Sequence, residues 1–243
     1  MSALPLEQEV EYPTSDGQPM AESPFHARVM LDLLFCLDLR YLAVADAWVG
    51  SNFFLFYERG NPKARVSPDV MLAKGVARWD RPNYQLWKER PPSLIVEVTS
   101  RKTRSKDTGP KKDLYERIGV EEYILFDPRG DYLRPQLQGY RLLRGRYQPI
   151  PLADDGTLLS RTTGLRMKSE GKRLRLIDAA TGEPILWAEE AEAARREEKA
   201  ARREAEAARR KEEAARHDAE ARAKSAEARA RALEEELKRL RQA

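Results

Sequence analysis

Sulfur and imidazole are scarce in this 243-residue chain, which has one cysteine, Cys36, and two histidines, His26 and His217. A lone cysteine excludes an intramolecular disulfide and fits a reducing compartment. Neither histidine has neighbours at metal-ligand or triad spacing, so both read as structural, and Cys36, on an apolar helix, reads as core. No Gly-rich loop of the phosphate-cradling kind is present. No apolar run reaches the 18 residues a membrane span needs, and nothing near Met1 resembles a signal peptide, so a cytoplasmic protein is expected. From Ala188 onward aromatics, glycine and proline are all absent, and that stretch cannot build a core of its own.

What is there falls into three parts: an N-terminal extension over 1–22, a domain over 23–187 containing all four Trp, and a tail over 188–243. The net charge is only +4, and the tail carries 16 Lys+Arg against 15 Asp+Glu, so bulk charge is weak evidence for a nucleic-acid arm. The tail's 19 Ala and recurring i,i+4 Glu/Arg pairs predict a long helix. Its apolar positions keep a heptad register through 191, 194, 201, 205, 208, 215 and 219. After a slip the register resumes to Leu233, Leu237 and Leu240. A solvated single helix, a dimerising coiled coil and a nucleic-acid arm all stay open.

Within 23–187, Ser23-Pro24 reads as N-cap and first turn of a helix running to about Arg40. Strand-like runs follow at Leu42–Trp48, Phe53–Tyr57, Val66–Leu72 and Leu94–Thr99. A long loop, Lys74–Pro92, carries Trp79, Tyr84 and Trp87, aromatics suited either to wedging a ligand or to packing on the sheet. A short helix starts at about Lys106 or Pro110 and ends at Ile118, closed by Gly119. A strand at Tyr123–Phe126 follows, then a hairpin of Gln138–Leu143 with Arg146–Ile150, and a last strand at Leu174–Ile177. The order predicts an α/β domain: a mixed central sheet flanked by helices.

Two acids carry the chemistry. Glu97 sits in the apolar strand Leu94-Ile95-Val96-Glu97-Val98, where a carboxylate is costly unless a cation or a strand-end role compensates. Asp69, in Ser67-Pro68-Asp69, comes from the preceding strand region, although Pro-Asp is also a common turn pair. Together on adjacent strands they suit one divalent ion, and oxygen-only donors favour Mg2+ or Mn2+ over zinc. Asp46, apparently mid-strand in Val44-Ala45-Asp46-Ala47-Trp48, and Glu22, ahead of the first helix, are further candidate acids; Glu22 equally suits a helix N-terminus. Asp107 reads as helix start and Asp127 as turn.

Ser67-Pro68-Asp69-Val70 followed by Glu97-Val98-Thr99-Ser100 resembles the bipartite signature of the PD-(D/E)XK nuclease superfamily. More closely, the chain resembles the Uma-two family of restriction-endonuclease-like proteins over roughly 10–185. The resemblance rests on Tyr12 through Glu22, the two acidic motifs, and Lys111 through Tyr123. It implies a restriction-endonuclease-like fold and a Mg2+-dependent endonuclease. Asp69, Glu97 and the Val98 carbonyl would hold the ion, and cleavage would leave 5′-phosphate and 3′-hydroxyl ends. The superfamily's lysine, two residues after the Glu, is here Thr99. Lys111 is the expected substitute, since its spacing to Leu114, Tyr115 and Ile118 puts it on the inward helix face. Arg101, Lys102, Arg104 and Lys106 would contact the DNA backbone. Dimerisation through the tail would suit a duplex cutter. The rival readings are an inactive nuclease-like module for binding or assembly, with the tail as its working part, and a nuclease of RNA or modified nucleotides.

Overall fold

In a computed structural model the described residues are 10–14 and 23–242. They form two units, one ending at Ala188 and one beginning at Glu189. The second is a single helix, α4 (Ala188–Gln242), with exposed i,i+4 pairs such as Arg196–Glu192 and Arg209–Glu213. Each such pair contributes only about 0.3–0.5 kcal/mol.

The first unit opens with α1 (Pro24–Tyr41). The Ser23 side chain accepts a hydrogen bond from the His26 backbone N–H at 3.1 Å, and Pro24 fills the first turn, where no donor is needed. Val29, Met30, Leu33, Cys36 and Leu37 bury one face of α1 against the central sheet. Each burial contributes about 1.5–3 kcal/mol.

That sheet contains β1 (Ala47–Ser51), β4 (Val70–Lys74), β6 (Leu94–Val98), β7 (Glu122–Phe126), β8 (Leu137–Leu143) and β9 (Arg146–Pro149), in the order β1-β4-β6-β7-β8-β9. Only β6 and β7 are parallel, so the sheet is mixed and the fold is α/β, as the element order predicts. The crossover between β6 and β7 holds α2 (Arg104–Thr108) and α3 (Pro110–Ile118). Gly109-Pro110 divides the single helix expected there into two, because Pro110 supplies no N–H to continue the first. Gly119 ends α3 at φ 86, in the left-handed region that glycine adopts freely.

Strand alternation sorts the core into two layers. Val70, Leu72, Leu94, Val96, Val98, Ile124 and Phe126 face α1. Met71, Ala73, Ile95, Tyr123 and Leu125 face the opposite side with Tyr115 of α3. Glu97 shares the parity of Ile95 and so points toward α3.

Two smaller sheets complete the unit. The first is β2 (Leu55–Phe56), β3 (Arg65–Val66) and β5 (Tyr84–Gln85), in the order β3-β2-β5. The second is β10 (Leu158–Ser160), β11 (Leu165–Glu170) and β12 (Arg173–Asp178), an antiparallel meander. Asp32 of α1 joins Arg173 of β12 at 2.7 Å, and Trp187 lies between the Arg173 and Arg175 guanidinium groups at 3.5 and 3.3 Å.

Several local expectations change. Leu42–Ala45 is not strand, and β1 begins only at Ala47, so Asp46 lies exposed in a turn. Its carbonyl accepts from the backbone N–H of Gly75 and Val76, which sets it beside the far end of β4 from Asp69. Asp46 therefore does not line a site with Asp69, and its carboxylate stays in water at no burial cost. The Lys74–Pro92 segment is not an open loop but contributes β5 to a sheet. Tyr84 is fully buried and donates to the Arg90 carbonyl at 2.6 Å, so it is not a wedge. Trp87 packs on Tyr12, and Trp79 lies against the Arg81 guanidinium. Glu22 lies outside the described residues.

Candidate active site

The acidic pair is positioned by strand register. In the antiparallel β4–β6 ladder Val70 is opposite Val96, so continuing one step sets Asp69 opposite Glu97. Asp69 stands just before β4, its backbone fastened by Ser51 Oγ, which donates to its carbonyl at 2.7 Å. Its Oδ2 accepts from the Val98 backbone N–H at 2.7 Å and lies 3.3 Å from His26 Nε2. His26 is thus more than a core residue, and its approach over 43 positions of sequence is not visible locally.

Glu97 is 1 % exposed. Its Oε2 accepts from Lys111 Nζ at 2.8 Å, and its Oε1 bonds to the Tyr115 hydroxyl at 2.8 Å. Burial pushes its pKa up to about 8 against the pull of Lys111, with Asp69 and Asp107 adding repulsion. Lys111 is partly buried, which opposes its charge, yet Glu97, Asp107 and Asp69 together hold its pKa above the ordinary lysine range.

Asp107, read from sequence as a helix start, is the group that reasoning missed. It is 1 % exposed and its carboxylate lies 3.3 Å from Lys111 Nζ. Burial raises its pKa, although Lys111 and the Thr103 side chain oppose the rise. Lys111 and Tyr115 share one side of α3, whereas Asp107 comes from α2 across the Gly109-Pro110 break, so spacing alone does not reveal it. Thr99, where the superfamily lysine would stand, is 3 % exposed with its hydroxyl unpartnered.

Beside these acids a cleft of about 320 Å³ is lined by His26, Thr99, Arg101, Lys102, Arg129 and Tyr132 among others. Arg101, Lys102, Arg104 and Lys106 are all exposed, and Arg104 lies 6.0 Å from the Tyr132 ring centre. Among the described residues no three His, Cys, Asp or Glu side chains are grouped to ligate one ion by themselves. No helix of the described residues is long and apolar enough to cross a membrane.

Residues 1–174 match the model of the Uma2 family, described as "Putative restriction endonuclease". The chain belongs to the Uma2 family. Asp69, Glu97 and Lys111 all fall inside the Uma2 match, whereas α4 lies beyond it. Among solved structures the chain is similar to a "putative nuclease belonging to DUF820" from Anabaena variabilis ATCC 29413. That likeness has 12 % identity and a TM-score of 0.43, and it covers 60 % of this chain and 76 % of the other. No curated protein matches.

Proposed function

We propose that this Uma2 protein is a Mg2+- or Mn2+-dependent endonuclease that hydrolyses DNA phosphodiester bonds. The observation that carries the reading is the convergence of Asp69, Glu97 and Lys111 at one end of β4 and β6, with Glu97 fully enclosed. Three carboxylates, Asp69, Glu97 and Asp107, interact electrostatically there with a single lysine. Carboxylates that repel one another and raise each other's affinity for a cation, together with the all-oxygen donor set, fit a hard divalent ion, which keeps several waters and needs few protein ligands.

Asp69, Glu97 and the Val98 carbonyl would hold the ion. When bound it would supply Lewis-acid polarisation of the phosphate and a more acidic water. The chain's own groups do the rest. His26 and the Val98 N–H fix the Asp69 carboxylate, and Tyr115 fixes that of Glu97. Lys111 orients the attacking water and stabilises charge developing on the phosphate. Arg101, Lys102, Arg104 and Lys106 hold the DNA backbone, giving salt-sensitive binding with little base readout.

Thr99 in the superfamily's lysine position favours a second reading, an inactive module for binding or assembly. In either reading 23–187 is the nuclease-like domain and α4 a separate helix that pairs two copies through its leucine-bearing end, where Leu233 is 60 % exposed. The test is cleavage of supercoiled plasmid with Mg2+ or Mn2+ by wild type, Asp69→Ala, Glu97→Ala and Lys111→Ala. Nicking by wild type alone, with folded variants, supports the nuclease. Inert wild type that gains no thermal stability from either ion rejects it in favour of the module.

A further inference from the structure

Asp107 has no part in the mechanism above, yet its position is expensive. A buried carboxylate is costly unless cations or donors compensate it, and around Asp107 those are Lys111 at 3.3 Å and the Thr103 side chain. It is not needed to neutralise Lys111 either, because Glu97 already takes the ammonium at 2.8 Å. What Asp107 offers is a second acceptor on the same cation. The Lys111 Nζ stands between the two acids, 2.8 Å from Glu97 Oε2 and 3.3 Å from Asp107 Oδ1. Charge-assisted N–H···O bonds settle at about 2.7–2.9 Å, so the Asp107 contact is roughly half an ångström too long. Rotation about the last lysine torsions closes such a gap without moving the helix.

We propose that Asp107 is a positioning residue that takes over Lys111 when a cation occupies Glu97. The inference rests on the metal-nuclease reading. An ion held by Glu97 would compete with the ammonium for that carboxylate's charge, and so would weaken the shorter lysine contact. Without Asp107 the lysine would have near it only Glu97 and Asp69, the two acids that would hold the ion. With Asp107 it stays over the site, charged, beside the water it must orient. Asp107 lies at the end of α2 and Lys111 at the start of α3, and the short Gly109-Pro110 link keeps the two close neighbours in the chain as well as in space. No proton is transferred in the exchange. One hydrogen bond to Glu97 is given up and one to Asp107 is made.

The decisive measurement is NMR of the full chain carrying labelled lysine, aspartate and glutamate. Coupling across the hydrogen bond should connect Lys111 Nζ to the Glu97 carboxylate without Mg2+, and to the Asp107 carboxylate with saturating Mg2+. A partner that stays Glu97 overturns the proposal. The second arm is Asp107→Asn, monitored by tryptophan fluorescence for folding and by calorimetry for Mg2+. Its Mg2+ affinity should stay within about threefold of wild type, while the Lys111 ammonium signal broadens by exchange with water only when Mg2+ is added. Cleavage should fall about tenfold to a hundredfold in kcat with KM little changed. Loss of Mg2+ binding in a folded Asp107→Asn would make Asp107 a ligand and overturn the positioning role. Wild type that binds no divalent ion would instead remove the nuclease reading underneath, an outcome visible without any variant.

Discussion

Glu97→Gln isolates the electrostatic tension of the site. A raised carboxylate pKa means that the folded protein binds a proton more tightly than the unfolded chain, so stability falls as pH rises between the two values. For Glu97 that window runs from 4.5 to about 8. Within it, linkage makes the wild type lose on the order of 3 kcal/mol between pH 5 and pH 8 that the glutamine variant does not lose. Glutamine is close to isosteric: its carbonyl can accept from Lys111 while its amide donates to the Tyr115 oxygen. In the wild type Lys111 stays protonated throughout the window, and in the variant Asp107 and Asp69 remain to hold its charge against burial. All four tryptophans lie at or before residue 187, so their fluorescence reports on this unit and not on α4. For a unit of this size 1 kcal/mol moves Tm by about 2–4 °C, so the two melting curves should diverge by roughly 10 °C from pH 5 to pH 8 in chelator. Parallel curves within about 2 °C would refute the reasoning, because they would mean that Glu97 is ionised throughout and its pairing with Lys111 outweighs its burial.

Further outcomes follow from the same packing. Tyr115→Phe removes the hydroxyl 2.8 Å from Glu97 Oε1 and should cost about 1–2 kcal/mol in denaturant unfolding, with Mg2+ affinity lowered as Glu97 loses its fixed orientation. Gly139 lies on β8 where an added Cβ would come within 2.5 Å of Leu158 Cδ1 and 2.9 Å of Ile124 Cδ1. Gly139→Ala should therefore destabilise by about 1–3 kcal/mol in the same assay. Replacing Arg101, Lys102, Arg104 and Lys106 by alanine should flatten the slope of log DNA affinity against log salt by roughly 3–4, read by fluorescence anisotropy. An unchanged slope would place the DNA track elsewhere.

The parts of the fold legible in the sequence are those whose signals are local. Ser23-Pro24 marks the start of α1, and the two residues Arg144 and Gly145, at φ 52 and 78, make the tight hairpin turn between β8 and β9. The apolar runs of β6 and β7 are legible because both strands are covered on both faces. Signals fail where partners are distant or elements short. The three residues of β10 and the charged outer face of β11, with Arg166 exposed, leave only a brief alternation at Leu165 and Met167. Asp46 misleads because Ala45 and Ala47 are compatible with a strand that in fact starts one residue too late to contain it. For the site, Glu97 stands out because its neighbours make it costly. His26 and Asp107 do not, because their cost appears only when α1 and α2 are packed against the strand ends.

On the proposed reading, the same geometry lets Lys111 of α3 stand in for a lysine at position 99. A residue two positions after Glu97 points to the same face of β6, so a lysine at position 99 would share that face. That face is also the one crossed by α3, whose Tyr115 already bonds Glu97, and one helical turn before Tyr115 is Lys111. A side chain arriving from the helix reaches the same carboxylate from above instead of from alongside. The crossover also brings a second acid, Asp107 of α2, whose carboxylate lies 3.3 Å from the ammonium. A lysine on the helix is thus held between two carboxylates, where one at position 99 would come from the strand alone. If that is the gain, returning the lysine through Thr99→Lys with Lys111→Ala should restore some cleavage, yet leave it independent of Asp107. Equal sensitivity of that double variant to Asp107→Asn would show that Asp107 acts on the site by some route other than the lysine.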